Sequence, residues 1–523
     1  MQQMTAQEAS FLYLETPNAP MHSGAITIYD QHTVPGGVQA FKAILEAVDT
    51  RLHLARALRQ KVVRVPLNLD HPYWVEDEEF DLEFHVRHIA LPAPGDWRQL
   101  CIQAARLHAR ALDLTKPLWE FTIIEGLDRV EGLPEGCYAL VSKVHHAAID
   151  GLSGFDLVDV LNDVLPDAAP PSPPARPWQA EARPGAAALL ARAWGHSILR
   201  PFRLAEVALR SVPALARVAE GFLDASLRRV GPVPRTRFNR AISAHRVVEG
   251  QVFSLDALHA IRDAMPGVTS NDVLLALCGG ALRRYLGEKD ELPASSLVAL
   301  TPVPVPDERA RGVLVEPVNL SLGTHIPDAM QRLYYVARAS GPSRALTRAI
   351  GARLMTDAAS FVPAALAGAA ARLYSTLSLA NRHQPLFNCV VTQLSGPDRP
   401  RYAAGARMVT QFGTAPLFDG MGLSFMVFSY CDHLTLSFTA CREMVPDPER
   451  LSACLRTAFD ELVAGAAGGR VEPSAPDDAL RAAAAGVALA AGTAPDRAVR
   501  SEGVIHDDGA EAPRANLTGD QQR

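Results

Sequence analysis

The chain has 523 residues, of which 48% are hydrophobic and 21% are charged, and its formal net charge is -6. A chain of this length can bury more than one hydrophobic core, so two or more domains are expected. The small negative charge argues against a protein whose main task is to hold nucleic acid, because such proteins carry a marked excess of basic residues.

The cysteines and the first residues bear on the cellular compartment. The seven cysteines are scattered, odd in number and never spaced as C-x-x-C, which argues against a disulfide framework and a zinc ribbon and favours a reducing cytosol. No basic segment followed by an apolar run opens the sequence, so no secretory signal is expected. The small-residue run at 482–492 is too short and too rich in alanine to span a bilayer, so any membrane contact would be peripheral.

Residues 1–165 mix strand-like and helical patterns. Strands are predicted at 24–30, 118–127 and 137–144, where β-branched and aromatic residues cluster. A helix is predicted at 98–112, where apolar residues recur at helical spacing. These patterns indicate a first α/β lobe.

A proline-rich stretch at 166–184 follows, and it is expected to be an exposed linker because proline lacks a backbone donor and fixes φ. Residues 185–231 are then predicted to form a helical connector with an arginine-rich polar side, and a second arginine-studded helical stretch is predicted at 332–382. Two interpretations of these arginines stay open. They are solvated faces of packed helices, or they form a surface that docks on anionic lipid.

Residues 232–467 repeat the mixed pattern as a second lobe. Strand, helix, helix and strand are predicted across 250–305, a buried strand at 387–397, a hairpin turning about Cys431 and Asp432, and a helix at 446–465. Residues 468–523 lack sustained periodicity and are expected to be a disordered tail. The sequence therefore predicts a mixed α/β (α+β) fold of two lobes, with an active site in the cleft between them.

The candidate chemistry lies at 141–154, in VSKVHHAAIDGLSG. If a strand persists through His145 and His146, their side chains point to opposite faces of the sheet, so only one can point into a cleft. This parity argument, from the alternation of side chains along a strand, does not say which of the two it is. Asp150 can fold back to hold the loop, and Gly151 permits a tight turn. A histidine near its ordinary pKa can take a proton from an alcohol or a thiol.

Other chemistries have less support in the sequence. It contains no G-x-S-x-G elbow, no phosphate-binding G-x-x-x-x-G-K-[ST] loop and no dinucleotide glycine fingerprint. Histidine and aspartate can ligate zinc, but no further spaced set of ligands accompanies this pair, so no metal site is expected. If the electrophile is an activated acyl group, an acceptor alcohol can attack it directly without a protein nucleophile.

HHAAIDG matches the H-H-x-x-x-D-G motif of CoA-dependent acyltransferases, and five more segments match one family in order. These segments are TAQEASFLYLETPNAPMHSGA, YWVEDEEFDLEFHVRHIALPAPG, KPLWEFTIIEGL, TSNDVLLALCGGALRRYL and SGPDRPRYAAGARM. From about residue 5 to about residue 462 the chain resembles the bacterial bifunctional wax ester synthase/acyl-CoA:diacylglycerol acyltransferase family.

The resemblance implies two lobes like chloramphenicol acetyltransferase, with an active-site channel between them. His146 would be the general base that deprotonates the acceptor hydroxyl, and His145 would support it. Asp150 and Gly151 would be mainly structural, and Asn271 would approach the site from the second lobe. Acyl-CoA would be a co-substrate rather than a cofactor, and the acceptor would be diacylglycerol, giving triacylglycerol, or a long-chain alcohol, giving a wax ester.

Alternatives accompany these roles. Trp119 in PLW is interpreted as a core residue, and Asn271 and Asp272 fit helix N-capping at least as well as substrate contact. A non-catalytic lipid-binding relative and a condensation enzyme of the peptide-synthetase type are the alternative functions. We expect a cytoplasmic protein, with peripheral attachment to the inner face of the plasma membrane or to lipid droplets left open.

The chain also departs from the family pattern in the second lobe. Where the family usually has P-V-S-x-R, this sequence has PVPVP at 302–306, and QLSGP at 393–397 replaces N-V-P-G-P. These changes bear on acceptor choice and efficiency more than on the fold, because the histidine motif is intact.

Overall fold

The computed structural model describes residues 1–149, 156–174, 178, 180–181, 184–196, 233–307, 312–350, 373 and 375–468. Several predicted features lie outside these residues. They are Asp150 and Gly151, most of the connector at 185–231, much of the second arginine-studded stretch, and nearly all of the tail.

The described helices confirm the mixed α/β prediction. In chain order they are α1 (Ala6–Leu14), α2 (Phe41–Asp49), α3 (Leu82–His85), α4 (Trp97–Ala109), α5 (His146–Ile149), α6 (Asp156–Leu161), α7 (186–196), α8 (Leu255–Asp263), α9 (Ser270–Gly287), α10 (Ala329–Ile350) and α11 (Pro448–Ala467). The helices predicted at 98–112 and 446–465 correspond to α4 and α11.

The described strands include every strand that the sequence predicted. They are β1 (Gln2–Gln3), β2 (His22–Asp30), β3 (Gln60–Val63), β4 (Tyr73–Glu76), β5 (Val86–Ala90), β6 (Trp119–Glu125), β7 (Tyr138–His145), β8 (Arg246–Ser254), β9 (Val298–Asp307), β10 (Gly312–Ser321), β11 (Cys389–Ser395), β12 (Tyr402–Ala403), β13 (Ala406–Thr414), β14 (Leu423–Tyr430) and β15 (His433–Cys441). The predicted hairpin is β14–β15, and Cys431 at its turn has a φ of 50°.

The strands form two six-stranded sheets and one three-stranded sheet within the described ranges. The first large sheet has the order β12-β13-β2-β7-β6-β5, the second has the order β10-β9-β11-β14-β15-β8, and the small sheet has the order β1-β4-β3. Helices α9 and α11 pack in the hydrophobic core of the second sheet, where Leu275 and Leu455 are fully buried. Trp119 lies in the core of the first lobe, as expected, with its Nε1 donating to the Leu58 carbonyl at 2.8 Å.

Strand β13 crosses from the second lobe into the sheet of the first. It pairs antiparallel with β2, from Arg407 opposite Asp30 to Thr414 opposite Gly24. The sequence did not predict this crossing, because 402–414 was included in the second lobe and a strand pattern does not specify the sheet that a strand joins. The crossing brings a second-lobe segment alongside the strand next to β7.

Buried hydroxyl groups of β15 hold β13 on the side of the second lobe. Thr435 donates to the Gln411 carbonyl at 2.6 Å, and Ser437 donates to the Gly413 carbonyl at 2.7 Å. Thr439 accepts the Ala415 amide at 3.2 Å. These three residues alternate along β15 and therefore share one face of its sheet. The hydroxyls satisfy backbone groups of β13 that have no strand partner there, and so they join the two lobes.

The PVPVP segment lies in β9, beyond the point where β9 pairs with β11. That pairing ends at Leu300, after which β9 continues only against β10, with Pro302 opposite Pro317. Proline lacks an N–H donor, and a strand tolerates it where one side of the strand makes no hydrogen bonds to a neighbouring strand. The departure from the family pattern is therefore compatible with the strand.

Candidate active site

The two histidines sit at the junction of β7 and α5. The His145 amide donates to the Leu118 carbonyl at 2.9 Å, and the His146 amide donates to the Met21 carbonyl at 2.8 Å. The strand ends at His145, so the condition behind the parity argument does not hold through His146. The two residues nonetheless have different surroundings. His145 is fully buried, whereas His146 is densely surrounded by protein but keeps part of its surface exposed to solvent.

The His145 ring is held between the backbone of α5 and a carboxylate. Its Nδ1 accepts the Ala147 amide at 3.1 Å, and its Nε2 lies 3.6 Å from Oε2 of Glu15. Because Nδ1 acts as an acceptor, the neutral ring carries its hydrogen on Nε2, directed towards Glu15. His145 therefore links the start of α5 to the end of α1.

The His146 ring lies between an aromatic ring and a hydroxyl group. Phe11 stacks on it with ring centroids 4.7 Å apart and an interplanar angle of 16°, and Oγ of Ser23 is 3.2 Å from its Nε2. Burial is the main cause that lowers the pKa of His146 to about 4, and the adjacent imidazole of His145 adds a smaller unfavourable interaction with a proton on His146. The imidazole is thus neutral at pH 7, which a general base requires.

Helix α1 positions both rings. A capping box starts the helix, with the Glu8 amide donating to Oγ1 of Thr5 at 3.1 Å and the Glu8 carboxylate accepting the Thr5 amide at 2.6 Å. Phe11 lies in the last turn of α1, and Glu15, four residues on, is the residue that caps its C-terminus, so both belong to the same end of the helix. One stacks on His146 and the other faces His145, so the register of this helix sets both contacts.

Strand β2 forms the wall beside His146. Its residue Gly24 approaches β7 so closely that a Cβ atom there would lie 1.9 Å from the Ser142 carbonyl oxygen. Oγ of Ser142 in turn accepts the Ala25 amide at 3.1 Å. Gly24 pairs with Thr414 of the crossing strand β13, so the wall that carries Ser23 adjoins the second lobe.

Two neutral histidines and a lysine lie buried next to this wall. His22 pairs with His145 across β2 and β7, and its ring meets that of His108 edge-on at 4.7 Å. His108 Nε2 donates to the Ala415 carbonyl at 3.0 Å, and burial lowers the pKa of His108 to about 3. Lys143 lies 2.9 Å from Glu120 and donates to the Arg110 carbonyl, which terminates α4. These contacts fix α4 against β7 and the end of β13.

A cavity of about 610 Å³ flanks the histidine loop. Its walls include Glu8 of α1, Ala148 of α5, Val160 of α6 and Trp74 of β4. All residues found to line it belong to the first lobe. The cavity is therefore distinct from the expected channel between the lobes, which stays a prediction.

Asn271 of the second lobe is not the N-cap residue of α9. The N-cap of α9 is Thr269, whose Oγ1 accepts the Asp272 amide at 3.2 Å, while Asp272 accepts the Thr269 amide at 3.0 Å. The capping interpretation is thus right for the role of Asp272 in the capping box and wrong for Asn271. Asn271 is partly buried in the first turn, and its approach to the active site stays a prediction.

Sequence reasoning missed Phe11, Glu15 and Ser23. The T-x-x-E signature at Thr5–Glu8 could have located α1, in which Phe11 lies and which Glu15 caps. Ser23 offered no such signal, because its contact with His146 depends on how β2 pairs with β7.

Among the described residues no group of three or more His, Cys, Asp or Glu side chains is arranged to hold a metal ion. Their helices also include none long and apolar enough to cross a membrane.

Two segments of the chain match domains of one known family. Residues 4–274 match the wax ester synthase/diacylglycerol acyltransferase catalytic domain, and residues 314–463 match the WS/DGAT C-terminal domain. A Mycobacterium tuberculosis protein named as a diacylglycerol O-acyltransferase is 32% identical over 477 residues, which covers 88% of this chain and 91% of the relative. A Mycobacterium bovis protein with the same designation is 30% identical over 479 residues, covering 88% and 99%.

Solved structures agree with these matches. The wax ester synthase/diacylglycerol acyltransferase from Marinobacter aquaeolei VT8 aligns with a TM-score of 0.63 at 27% identity, covering 89% of this chain and 100% of that one. A trichothecene 15-O-acetyltransferase from Fusarium sporotrichioides, with a TM-score of 0.53 and 12% identity, shares the fold. The protein is therefore an acyltransferase in fold and class. It belongs to the wax ester synthase/diacylglycerol acyltransferase family, which confirms the resemblance in the sequence.

Proposed function

We propose that the protein is an acyl-CoA-dependent O-acyltransferase that acts on diacylglycerol, a long-chain alcohol or both, with His146 as the general base. The observation that carries this proposal is the position of the His146 ring, whose Nε2 lies 3.2 Å from the hydroxyl oxygen of Ser23, within hydrogen-bond reach. Burial supports it by lowering the pKa of His146 to about 4. An acceptor alcohol needs such a nitrogen to remove its proton.

The reaction is a direct transfer. The acceptor oxygen attacks the thioester carbonyl carbon while its proton passes to His146. The C–S bond of the thioester then breaks, and the CoA sulfur takes the proton from the imidazolium and leaves as the thiol. The products are the ester and free CoA, and the imidazole returns to its neutral form.

The low pKa of His146 has a cost and a benefit in this scheme. A base with a pKa of about 4 is intrinsically weak at removing the proton of an alcohol. The same burial keeps the ring unprotonated over the physiological range, and the stacked Phe11 shields one face from water. The shielding also favours transfer to the acceptor over hydrolysis of the thioester.

Other residues support the base in this proposal. His145, held by the Ala147 amide and facing Glu15, fixes the start of α5 and with it the position of His146. Asp150 and Gly151 organise the following loop, as the sequence predicts, and Asn271 contributes from the second lobe. Membership of the family supports these three roles, which stay proposals.

Diacylglycerol is favoured as the acceptor. Support comes from the mycobacterial relatives, which are named as diacylglycerol O-acyltransferases. The family also includes wax ester synthases, so a long-chain alcohol is the second acceptor to test.

The experiment supplies the purified chain with labelled palmitoyl-CoA and, separately, dioleoylglycerol and hexadecanol in mixed micelles. We expect a labelled ester with at least one acceptor, together with one equivalent of free CoA. If neither acceptor is acylated while labelled lipid is still bound, the non-catalytic lipid-binding alternative replaces the proposal.

We further propose that the described part of the connector contacts a lipid surface. Leu189 and Ala193 of α7 pack in one small hydrophobic cluster with Val63 and Val65 near β3. The neighbouring Trp194 is 73% exposed and Leu67, at the loop after β3, is 82% exposed. The contact of His196 with Asp70, at 2.6 Å, places the end of α7 beside that loop.

Arg64 and Arg192, which are adjacent in sequence to Val63 and Val65 and to Ala193, are exposed. Exposed apolar side chains near arginines fit the edge of a bilayer, where the water-insoluble acceptor would be found. The test is flotation with phosphatidylcholine–phosphatidylglycerol vesicles. The intact chain should float, and the double variant Leu67→Ser, Trp194→Ser should not. The matched control is Leu386→Ser, which changes a 74% exposed leucine of the second lobe and should float normally. Failure of the intact chain to float would exclude this surface contact.

A further inference from the structure

The hydroxyl of Ser23 stands where the proposed mechanism needs the hydroxyl of the acceptor. Oγ of Ser23 is 3.2 Å from Nε2 of His146, and Ser23 is partly exposed at the wall formed by β2. Its neighbour Gly24 is fixed against β7 by the close approach to Ser142, and Val144 of β7 pairs with Ser23. The backbone beneath this hydroxyl therefore has little freedom to move away from the histidine.

The direction of this hydrogen bond follows from the role of the base. For His146 to accept a proton at Nε2, the neutral ring must carry its own hydrogen on Nδ1. The hydroxyl of Ser23 must then donate to Nε2, and its oxygen keeps lone pairs that face away from the ring. An incoming alcohol can donate to that oxygen without displacing Ser23.

We propose that Ser23 is a catalytic residue that relays the proton of the acceptor to His146. As the acceptor oxygen attacks the thioester carbonyl, its proton moves to Oγ of Ser23 while the Ser23 proton moves to Nε2. Ser23 ends the step with its hydroxyl restored, and the imidazolium then protonates the CoA sulfur, so no further reactant is required. This inference rests on the proposed function and assigns a role to a residue beyond the histidine motif.

The relay has an alternative in which the acceptor displaces Ser23 and bonds His146 directly. In that case Ser23 would lose the hydrogen bond that it makes with the histidine, and removing its hydroxyl would leave transfer unchanged or faster. A second alternative is attack by Ser23 itself on the thioester, which would leave an acyl group on its oxygen. Each alternative gives a different experimental result.

Three variants at one position separate these cases. Ser23→Ala removes the hydroxyl, Ser23→Thr keeps it on a β-branched side chain that suits a strand, and Ser23→Cys keeps the size with a weak donor. We expect Ser23→Ala to lower kcat by about 10- to 100-fold with the KM for palmitoyl-CoA nearly unchanged, because only the proton path is lost. Ser23→Thr should recover most of the rate, and Ser23→Cys should fall in between.

Two further readouts respond to a relay and not to a packing role. The Ser23 hydroxyl stabilises the neutral ring by donating to it, so Ser23→Ala should raise the pKa of His146 and move the acid limb of the rate profile upward. In mixtures of H₂O and D₂O, the intact enzyme should give a bowed rate plot because two protons move together, and Ser23→Ala should give a straight one.

The same assay of His146→Ala keeps the two proposals distinguishable. Full transfer by His146→Ala would overturn the proposed function. An inactive His146→Ala together with a fully active Ser23→Ala would overturn the relay alone. Intact mass measurement after incubation with palmitoyl-CoA and no acceptor should show no adduct, and an acyl group on Ser23 would overturn the relay in favour of a nucleophilic serine. If Ser23→Ala fails to fold, the decision passes to Ser23→Cys, where a full rate and a linear D₂O plot would contradict the relay.

Discussion

Lowering the pH from 7 to 5 should leave most of the transfer activity intact, because burial lowers the pKa of His146 to about 4. At pH 5 a base with this pKa is about 10% protonated, whereas a histidine with its ordinary pKa of about 6.5 would be about 97% protonated. The two cases differ by about thirtyfold in the fraction of active base. The assay is the initial rate of labelled ester formation at low substrate concentration from pH 4 to 8, which reports the free enzyme.

The stability of the protein has to be followed over the same range. The native pKa values of His146 and His108 are lowered, so the unfolded chain binds more protons between pH 6.5 and 4 and stability falls as the pH drops through that window. For His108 this loss is about 2 kcal/mol at pH 5. Circular dichroism at each pH, and recovery of the full rate on return to pH 7, separate unfolding from protonation of the base. An acid limb centred near pH 6.5 in a fully folded enzyme would refute the account of a buried neutral base.

Three further outcomes are expected. Phe11→Ala should admit water to His146, shift the acid limb of the pH–rate profile from about pH 4 towards pH 6.5, and lower the free energy of unfolding by about 2 kcal/mol. Phe11→Leu should keep the limb in place. The pH–rate profile and thermal melting check this, and an unmoved limb in Phe11→Ala would contradict it. Ser437→Ala should lower the free energy of unfolding in urea by about 1–2 kcal/mol, because the buried Gly413 carbonyl loses its hydrogen-bond donor. Ser10→Ala, at an exposed site, should lower it by less than about 0.5 kcal/mol. Equal losses would argue against the hydroxyl link between β15 and β13. Dialysis against a chelator should leave the transfer rate unchanged, and strong inhibition that zinc reverses would revive the metal alternative.

Much of the fold could be predicted because the periodicity of apolar residues is a local signal. Strands β2, β6, β7 and the β14–β15 hairpin, and helices α4 and α11, all follow from runs of alternating, continuous or helically spaced apolar residues. The pairing of strands is not a local property. Nothing in the pattern of 402–414 says that β13 leaves its own lobe to pair with β2, because that choice depends on the edge left free by β2 and on the hydroxyls of β15.

The candidate site divides in the same way. The histidine motif can be found from the sequence because its residues are adjacent. The environments of His145 and His146 do differ, but the cause is the change from strand to helix between them and not the alternation along a strand. The contacts that tune these rings come from Phe11, Glu15 and Ser23, more than 120 residues away, as the 123-residue separation of Ser23 and His146 shows. Only the packing of α1 and the register of β2 against β7 bring them together.

The most direct test of the account is the single-turnover rate of acyl transfer by His146→Ala at pH 7, with preformed palmitoyl-CoA complex and dioleoylglycerol or hexadecanol. The matched control is His32→Ala, which removes a histidine of the first lobe whose side chain is 57% exposed and leaves the proposed base in place. We predict that His146→Ala loses about 10²–10⁴-fold in rate while its melting curve and its binding of palmitoyl-CoA stay close to those of the intact chain. Full transfer by a folded His146→Ala would contradict the assignment of His146 as the base.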